Sequence, residues 1–442
     1  MNTPICDFTE NYIKKAPLRL HMPGHKGTNG YGSDITEVDG ADSLYAPGGI
    51  IAESEENASR LFGGTTFYST EGSSHAVRAM LYLFSLYCAE TGREKKILAG
   101  RNAHKTFTGA AALLDMHVSW LYPEEGESYL SCTPSPARLA EMLEEENISA
   151  VYLTSPDYLG LMADIPKIAR VCHEKGVLLF VDNAHGAYLR FLSPSQHPLD
   201  LGADMCCDSA HKTLPVLTGG AYLHVHKNAP TCFSKHGKEA LSLFGSTSPS
   251  YLILQALDRV NPYLETEYPR LLAAFIKKAA ETKKELWAKG YTFIGDEPLK
   301  WTIETKKYGY EGHELACLLA KENIVCEFYD KDFLVMMLTP QTGEEGLLAL
   351  RRVLLSIPKR DEIHIMPPSF SKSEQVLSPH ETLFLPREAV QVEKSAGRVL
   401  AEVSVGCPPA VPILGIGERI TEEAIAAFQY YGIEKISVVL GL

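Results

Sequence analysis

The segment Asp208–Gly220 reads DSAHKTLPVLTGG and sets Lys212 beside Ser209, His211 and Thr213, directly after an apolar, strand-like run. An amine in that company suits attack on a carbonyl, because burial and neighbouring cations lower its pKa and free its lone pair. Alone, the same pattern equally describes a surface loop lysine. About thirty residues upstream, VLLFVDNAHGAY carries an apolar run into Asp182, with His185 three residues on. A carboxylate at the carboxyl end of a strand in an α/β sheet can hold a protonated ring nitrogen; alone, it is as readily a helix N-cap. Together, Asp182 and Lys212 are the two protein groups that pyridoxal 5'-phosphate chemistry requires. One keeps the pyridine nitrogen protonated and the other holds the aldehyde as a Schiff base.

A phosphate cradle and a ring-stacking group complete the set. TTFYSTEGSSHAVRAML opens a helix with Gly72, Ser73 and Ser74, whose backbone N–H groups and hydroxyls bind a dianion without a lysine or arginine. Plain serine capping would leave the same trace. RNAHKTFTGAA sets His104 between a strand end and a helix, where an imidazole can stack on a flat ring; a solvated loop histidine is the ordinary alternative.

These residues need a sheet edge to hold them, and the sequence supplies one. Apolar, β-rich runs (KILAG near 97, SAVYLT near 150, VLLFVD near 178, ADMCCDS near 204, GAYLHV near 220) alternate with helical patterns between about residues 60 and 260. Ala76, Met80, Leu83, Phe84 and Tyr87 recur at helical spacing, and ADIPKIARVCHEKG closes on Gly176, a helix C-cap. The expected fold class is α/β, a mostly parallel sheet. From Pro249 to about Leu286 a long helical pattern follows, then an α+β lobe with strand-like YTFIG, KWTIET, IVCEFYD and FLVMML. A Pro/Ser-rich linker, HIMPPSFSKSEQVLSP, leads to a small C-terminal unit. The expected division is an N-terminal segment 1–45, a cofactor-binding large domain 46–260, a small α+β domain 261–365 and a C-terminal domain 366–442.

Bulk properties narrow the function. At 442 residues the chain is long enough for two or three domains, and a net charge of −13 disfavours nucleic acid or anionic membrane as its partner. Ten cysteines without a CxxC pair or a histidine rhythm argue for reduced thiols and against a structural metal. The N-terminus carries no signal-like pattern and no apolar run is long enough to span a bilayer. A cytoplasmic enzyme with a small-molecule substrate is expected.

Further motifs identify a resemblance. LHMPGHKG (20–27), DSLYAPGGIIAESEENASRLFG (42–63), RNAHKT, VDNAHGA, SAHKTLPVLT, GSTSPSY (245–251) and CPPAVPILGIGE follow one another along nearly the whole chain. In them the chain resembles the Orn/Lys/Arg decarboxylase family, pyridoxal-phosphate enzymes of the aspartate-aminotransferase fold type, in its short Gram-positive-type form. The resemblance implies that Lys212 forms the Schiff base, Asp182 binds the pyridine nitrogen, His104 stacks on the ring and Ala184 packs on its other face. It implies that Ser73, Ser74, Ser209 and His211 bind or line the phosphate, and that the active site lies at a homodimer interface, with Ser246 and Thr247 reaching the neighbour's phosphate. The expected reaction is decarboxylation of lysine, ornithine or arginine to cadaverine, putrescine or agmatine, with Lys212 or His211 returning the proton and Glu418 or Glu53 meeting the distal cation. Transamination or aldol cleavage on the same fold, and a non-catalytic regulatory homologue, are the alternatives. Four positions depart from the family pattern: Glu71 in the cradle, where repulsion of a phosphate is expected, Asn183 and Tyr188 where VDEAHGAH is usual, and Gly219 where glutamine is typical.

Overall fold

The computed structural model describes residues 1–123, 128, 130–145, 147–368, 372–403, 405–407 and 411–442. Seven strands form the main sheet: β1 Thr65–Ser69, β2 Lys96–Gly100, β3 His117–Leu121, β4 Ala150–Thr154, β5 Leu178–Asp182, β6 Met205–Asp208 and β7 Ala221–Val225. Helices Gly72–Thr91, Lys105–Leu113, Pro136–Glu145 and Ile165–Glu174 alternate with them, and the sheet is mixed but mostly parallel, which makes the chain α/β as expected. The five runs read as strands are β2, β4, β5, β6 and β7. Beyond them lie β8 Phe293–Ile294, β9 Lys300–Glu304, β10 Phe328–Tyr329, β11 Phe333–Met337, β12 Arg387–Gln391, β13 Gly406–Cys407, β14 Val411–Pro412 and β15 Lys435–Val439. No helix among the described residues is long and apolar enough to cross a membrane.

Packing divides the chain into two compact units, 1–94 with 165–272 and 95–164 with 273–442. In the first, β5 pairs parallel with β6, β6 pairs antiparallel with β7, and β7 pairs antiparallel with β1. All five β5 residues and all four of β6 are buried, so continuous apolar runs on both faces are what these strands require. The register sets Asp182 opposite Cys207, Asp208 opposite Tyr222 and Ala221 opposite Ser69. The turns after β1, β5 and β6 therefore leave from one edge. Ala76, Met80, Leu83 and Phe84 are buried along helix Gly72–Thr91, which lies against β6 and β7.

The second unit holds β2 parallel to both β3 and β4. It also holds an antiparallel sheet in the order β10-β11-β9-β8, flanked by helices Gly312–Lys321 and Gly343–Ser356. One apolar cluster joins Leu159, Phe328 and Val335 to Val392, Leu400, Ile413, Phe428 and Ile436. Part of the linker (369–371) and of the CPPAVP run (408–410) lies outside the described residues. The long pattern from Pro249 is two helices, Tyr251–Thr266 and Tyr268–Lys289. Pro269 lacks the N–H that would continue the first helix and suits the first turn of the second. We retain the four-segment division of the chain as a proposal about its sequence organisation.

Asp157 shows how a carboxyl is used structurally in the second unit. It is fully buried, accepts from Ser131 Oγ at 2.6 Å and takes the N–H groups of Leu159 and Leu161 at 2.9 Å each. Burial pushes its pKa from 3.8 up to about 6. The folded state then holds the proton more tightly than the unfolded chain, so this contribution to stability is present below about pH 4 and is lost as pH rises through about 6. Denaturant melts between pH 4 and 7 should show the wild-type midpoint falling with pH relative to that of Asp157→Asn; parallel curves would show that the carboxyl does not titrate there.

Candidate active site

The site in the first unit is built on the edge where β1, β5 and β6 end. Asp182 closes β5, is 4% exposed, and accepts at Oδ1 from Ala184 N at 3.1 Å and from the Cys207 thiol at 3.6 Å. Burial and the Asp182 charge raise the Cys207 pKa well above its usual range, which keeps that sulfur a donor. The turn that follows buries Ala184 and His185. Lys212 sits on the single helical turn Ala210–Thr213 after β6, half-buried, its Nζ 3.0 Å from His185 Nε2. His211 donates both its backbone N–H, at 3.1 Å, and its Nδ1–H, at 3.0 Å, to Gly220 O. The structure thus brings Asp182, Ala184, His185, Ser209, His211 and Lys212 into two adjacent turns.

The helix start beside them is shaped to receive an anion. Ser209, 1% exposed, donates to Ser73 Oγ at 2.8 Å, which ties the lysine-bearing turn to the first turn of helix Gly72–Thr91. The N-cap residue Glu71 makes no side-chain cap, and a Cβ placed on Gly72 would meet nothing within 4 Å. Ser74 follows in the same turn. The Glu71 carboxylate is engaged: its Oε1 accepts the backbone N–H of Ser246 at 2.6 Å. Ser246 and Thr247 are themselves exposed. Gly219 is also explained, since its φ of +97° and the 2.8 Å from its Cβ position to Thr70 O exclude any side chain. Its carbonyl accepts from Gly72 N at 2.7 Å. An open, hydroxyl-lined helix N-terminus beside a lysine and a buried carboxylate is the donor set that pyridoxal phosphate requires, and the residues present fit it.

The other residues singled out from the sequence sit on other segments of the chain. His104, in the second unit, caps helix Lys105–Leu113: its Nδ1 accepts from Thr106 N at 3.2 Å and lies 2.9 Å from Thr106 Oγ1. Glu53, in the first unit, is exposed on helix Ile50–Phe62 and accepts from Asn2 Nδ2. Glu418, in the second, is 2% exposed; its Oε2 accepts from Arg101 Nη2 at 3.1 Å and from Gly415 N at 2.7 Å. Arg101 also donates to Pro412 O at 3.2 Å and lies over the Trp120 ring at 5.2 Å. The Glu418 carboxylate thus neutralises a buried guanidinium of its own chain, which weighs against its meeting a substrate's distal cation. Sequence reasoning missed Arg101, although RNAHKT was already marked; the signal would have been a second charge for a buried glutamate to require.

Fold and donor set together define a pyridoxal-phosphate enzyme of the aspartate-aminotransferase fold type. The chain belongs to the Orn/Lys/Arg decarboxylase family, whose major-domain profile matches residues 3–300, and is a pyridoxal-phosphate-dependent amino-acid decarboxylase. It is 30% identical over 460 residues to the uncharacterized protein YaaO of Bacillus subtilis, with 96% of this chain and 93% of that one covered. It is 28% identical to the arginine decarboxylase of the same organism, covering 96% and 92%. Among solved structures, the Francisella novicida lysine decarboxylase LdcF superposes with a TM-score of 0.80 at 18% identity, over 99% of this chain and 81% of that one.

Removing one partner of a buried pair leaves the other charge uncompensated, at a cost of about 3–5 kcal/mol. Arg101→Leu should therefore lower the unfolding free energy by about that much in denaturant melts. A loss under about 1 kcal/mol would show that Glu418 finds another partner or a proton.

Proposed function

We propose that this enzyme decarboxylates arginine to agmatine, with lysine and ornithine as lesser members of its substrate class, in the cytoplasm and in polyamine metabolism. The observation that carries the reading is the 3.0 Å contact between Lys212 Nζ and His185 Nε2, one turn from the buried Asp182. The choice of arginine is supported by relatives named arginine decarboxylase in three Bacillus species and in Halalkalibacterium halodurans, at 27–28% identity.

When bound, pyridoxal phosphate supplies an electron sink conjugated to the substrate's α-carbon. Lys212 is the amine that would hold its aldehyde, and His185 orients that amine. Asp182 would keep the pyridine nitrogen protonated, helped by burial that strengthens a charge–charge contact. Gly72, Ser73, Ser74, Ser209 and His211 would take the phosphate, and His104 and Ala184 the two ring faces. Lys212 or His211 returns a proton to the α-carbon after carbon dioxide departs. Because Glu418 is held by Arg101, Glu53 is the retained candidate for the guanidinium of the substrate.

A homodimer is part of the proposal. Ser246 and Thr247 are exposed in one copy, and Leu18, Leu20 and Met22 are 85%, 84% and 61% exposed along one short segment, apolar surface that a second copy would cover. Sedimentation at micromolar concentration should give two or more chains per particle; a monomer active at that concentration would remove this part.

The test of the chemistry is the visible spectrum of the protein with added pyridoxal phosphate, followed by amine analysis with arginine, lysine and ornithine in turn. A band near about 420 nm, lost in Lys212→Ala, with agmatine formed faster than cadaverine or putrescine, is the expected result. A band with no amine from any of the three would replace decarboxylation of basic amino acids by transamination or aldol cleavage. Absence of a band would overturn the catalytic role given to Lys212.

A further inference from the structure

Behind the two turns that carry Asp182 and Lys212 lies a polar cluster sealed from solvent. Asp208, the last residue of β6, is 0% exposed, as are Asn183, His197 and His224. Its Oδ2 lies 3.0 Å from His197 Nε2 and 3.1 Å from His224 Nε2, and its Oδ1 accepts from Asn183 Nδ2 at 2.7 Å. The ring nitrogens and the carboxylate lie within 4.8 Å of one another, a spacing that a cation could bridge. The donors say otherwise. His197 Nδ1 accepts the N–H of Leu199 at 3.4 Å, so Nε2 is the nitrogen that donates to Asp208, where a metal would need a lone pair. The cluster is a carboxylate receiving three donors. Burial alone would raise the Asp208 acid, and the two imidazoles outweigh it and hold it well below the usual carboxylate range.

Asn183 is the only member of this cluster that belongs to the turn after β5. Its backbone N donates to Cys207 O at 3.0 Å and its carbonyl accepts from Gly186 N at 2.7 Å, closing the turn. Its side-chain oxygen is buried with no hydrogen-bond partner and stands 2.0 Å from where a Cβ on Gly186 would be. Only the amide nitrogen is paid for by a partner, so the orientation of the amide is fixed by Asp208 alone. Residue 183 follows Asp182 and residue 208 precedes Ser209, so this one bond and the His185–Lys212 contact are two side-chain ties between the same pair of turns.

We infer that Asn183 and Asp208 are a matched donor–acceptor pair that positions Asp182 and His185 against Lys212, and that the departure from the family pattern at Asn183 is the counterpart of Asp208. They are positioning residues: neither is placed on cofactor or substrate, and both act through their neighbours. A carboxylate at position 183 would face that of Asp208 at hydrogen-bond distance without the amide's donor, so the pair must either take up a proton or move the two turns apart. Exchanging the two residues restores one donor facing one acceptor.

The inference rests on the roles given above to Asp182 and Lys212, and a cofactor titration of the apoprotein separates the two. The affinity for pyridoxal phosphate is followed by the Schiff-base band in wild type, Asn183→Asp, Asp208→Asn and the double exchange, with apoprotein melting temperatures measured alongside. Asn183→Asp should bind at least tenfold more weakly, and the double exchange should return to within threefold of wild type. A loss below tenfold in Asn183→Asp, or a double exchange no tighter than that single variant, overturns the pairing. If Asn183→Asp does not fold, the double exchange must both fold and bind; if it too is unfolded, the inference fails. Lys212→Ala serves as the independent control, because a band that survives in it would sink the role of Lys212 while leaving the exchange result to stand by itself.

Discussion

The register of β5 against β6 is the constraint on which the site depends. With Asp182 opposite Cys207, the two strands end within one residue of each other, and the turns that follow are forced to run side by side. A slip of a single residue would reverse the faces of every side chain on β6 and turn Asp208 from its two histidines. Both strands are buried on both faces, so burial alone does not choose the register; the bonds of Asp208 to Asn183, His197 and His224 do, and the connection through Lys212 to β7 returns the chain antiparallel along the same edge.

From that edge, polarity is handled in two depths. The outer layer sets Ser73, Ser209, His211 and Lys212 around an open helix start, where Glu71 accepts from Ser246 N. The inner layer, around Asp208, is closed and fully hydrogen-bonded at its carboxylate. Buried polar groups are costly unless paired, so the inner layer is rigid where the outer one must be accessible. The second unit repeats the theme at Arg101 and Glu418, whose mutual neutralisation allows both to be almost completely buried.

Much of this was legible in the sequence, for identifiable reasons. Apolar runs with helical patterns between them gave β2, β4, β5, β6 and β7, since their shortness and flanking turn residues favour strands buried on both faces over helix. Lys212, Asp182 and the Gly72–Ser74 start were found because each stands at a strand end or helix start, positions that punctuation marks. β1 and β3 escaped: TTFYS was read only as the approach to a cradle, and HVSWL carries a histidine and a serine within five residues. The partner of Glu418 was not legible because a motif names a residue without naming its partner, and Arg101 is 317 residues away. Asp208 and Asn183 lay inside quoted motifs, yet their significance is a distance between turns, which no one-dimensional spacing encodes. The same holds for Gly219, where the missing side chain answers to the carbonyl of Thr70.

The Arg101–Glu418 pair also bears on how such a chain can change over time. Either residue replaced alone strands a charge in the protein interior, a cost that selection acts on before the second can follow. A neutral pair could pack there equally well, but it lies across a valley that single substitutions do not cross. Drift at these two positions should therefore be coupled or absent, however freely the exposed residues around them vary.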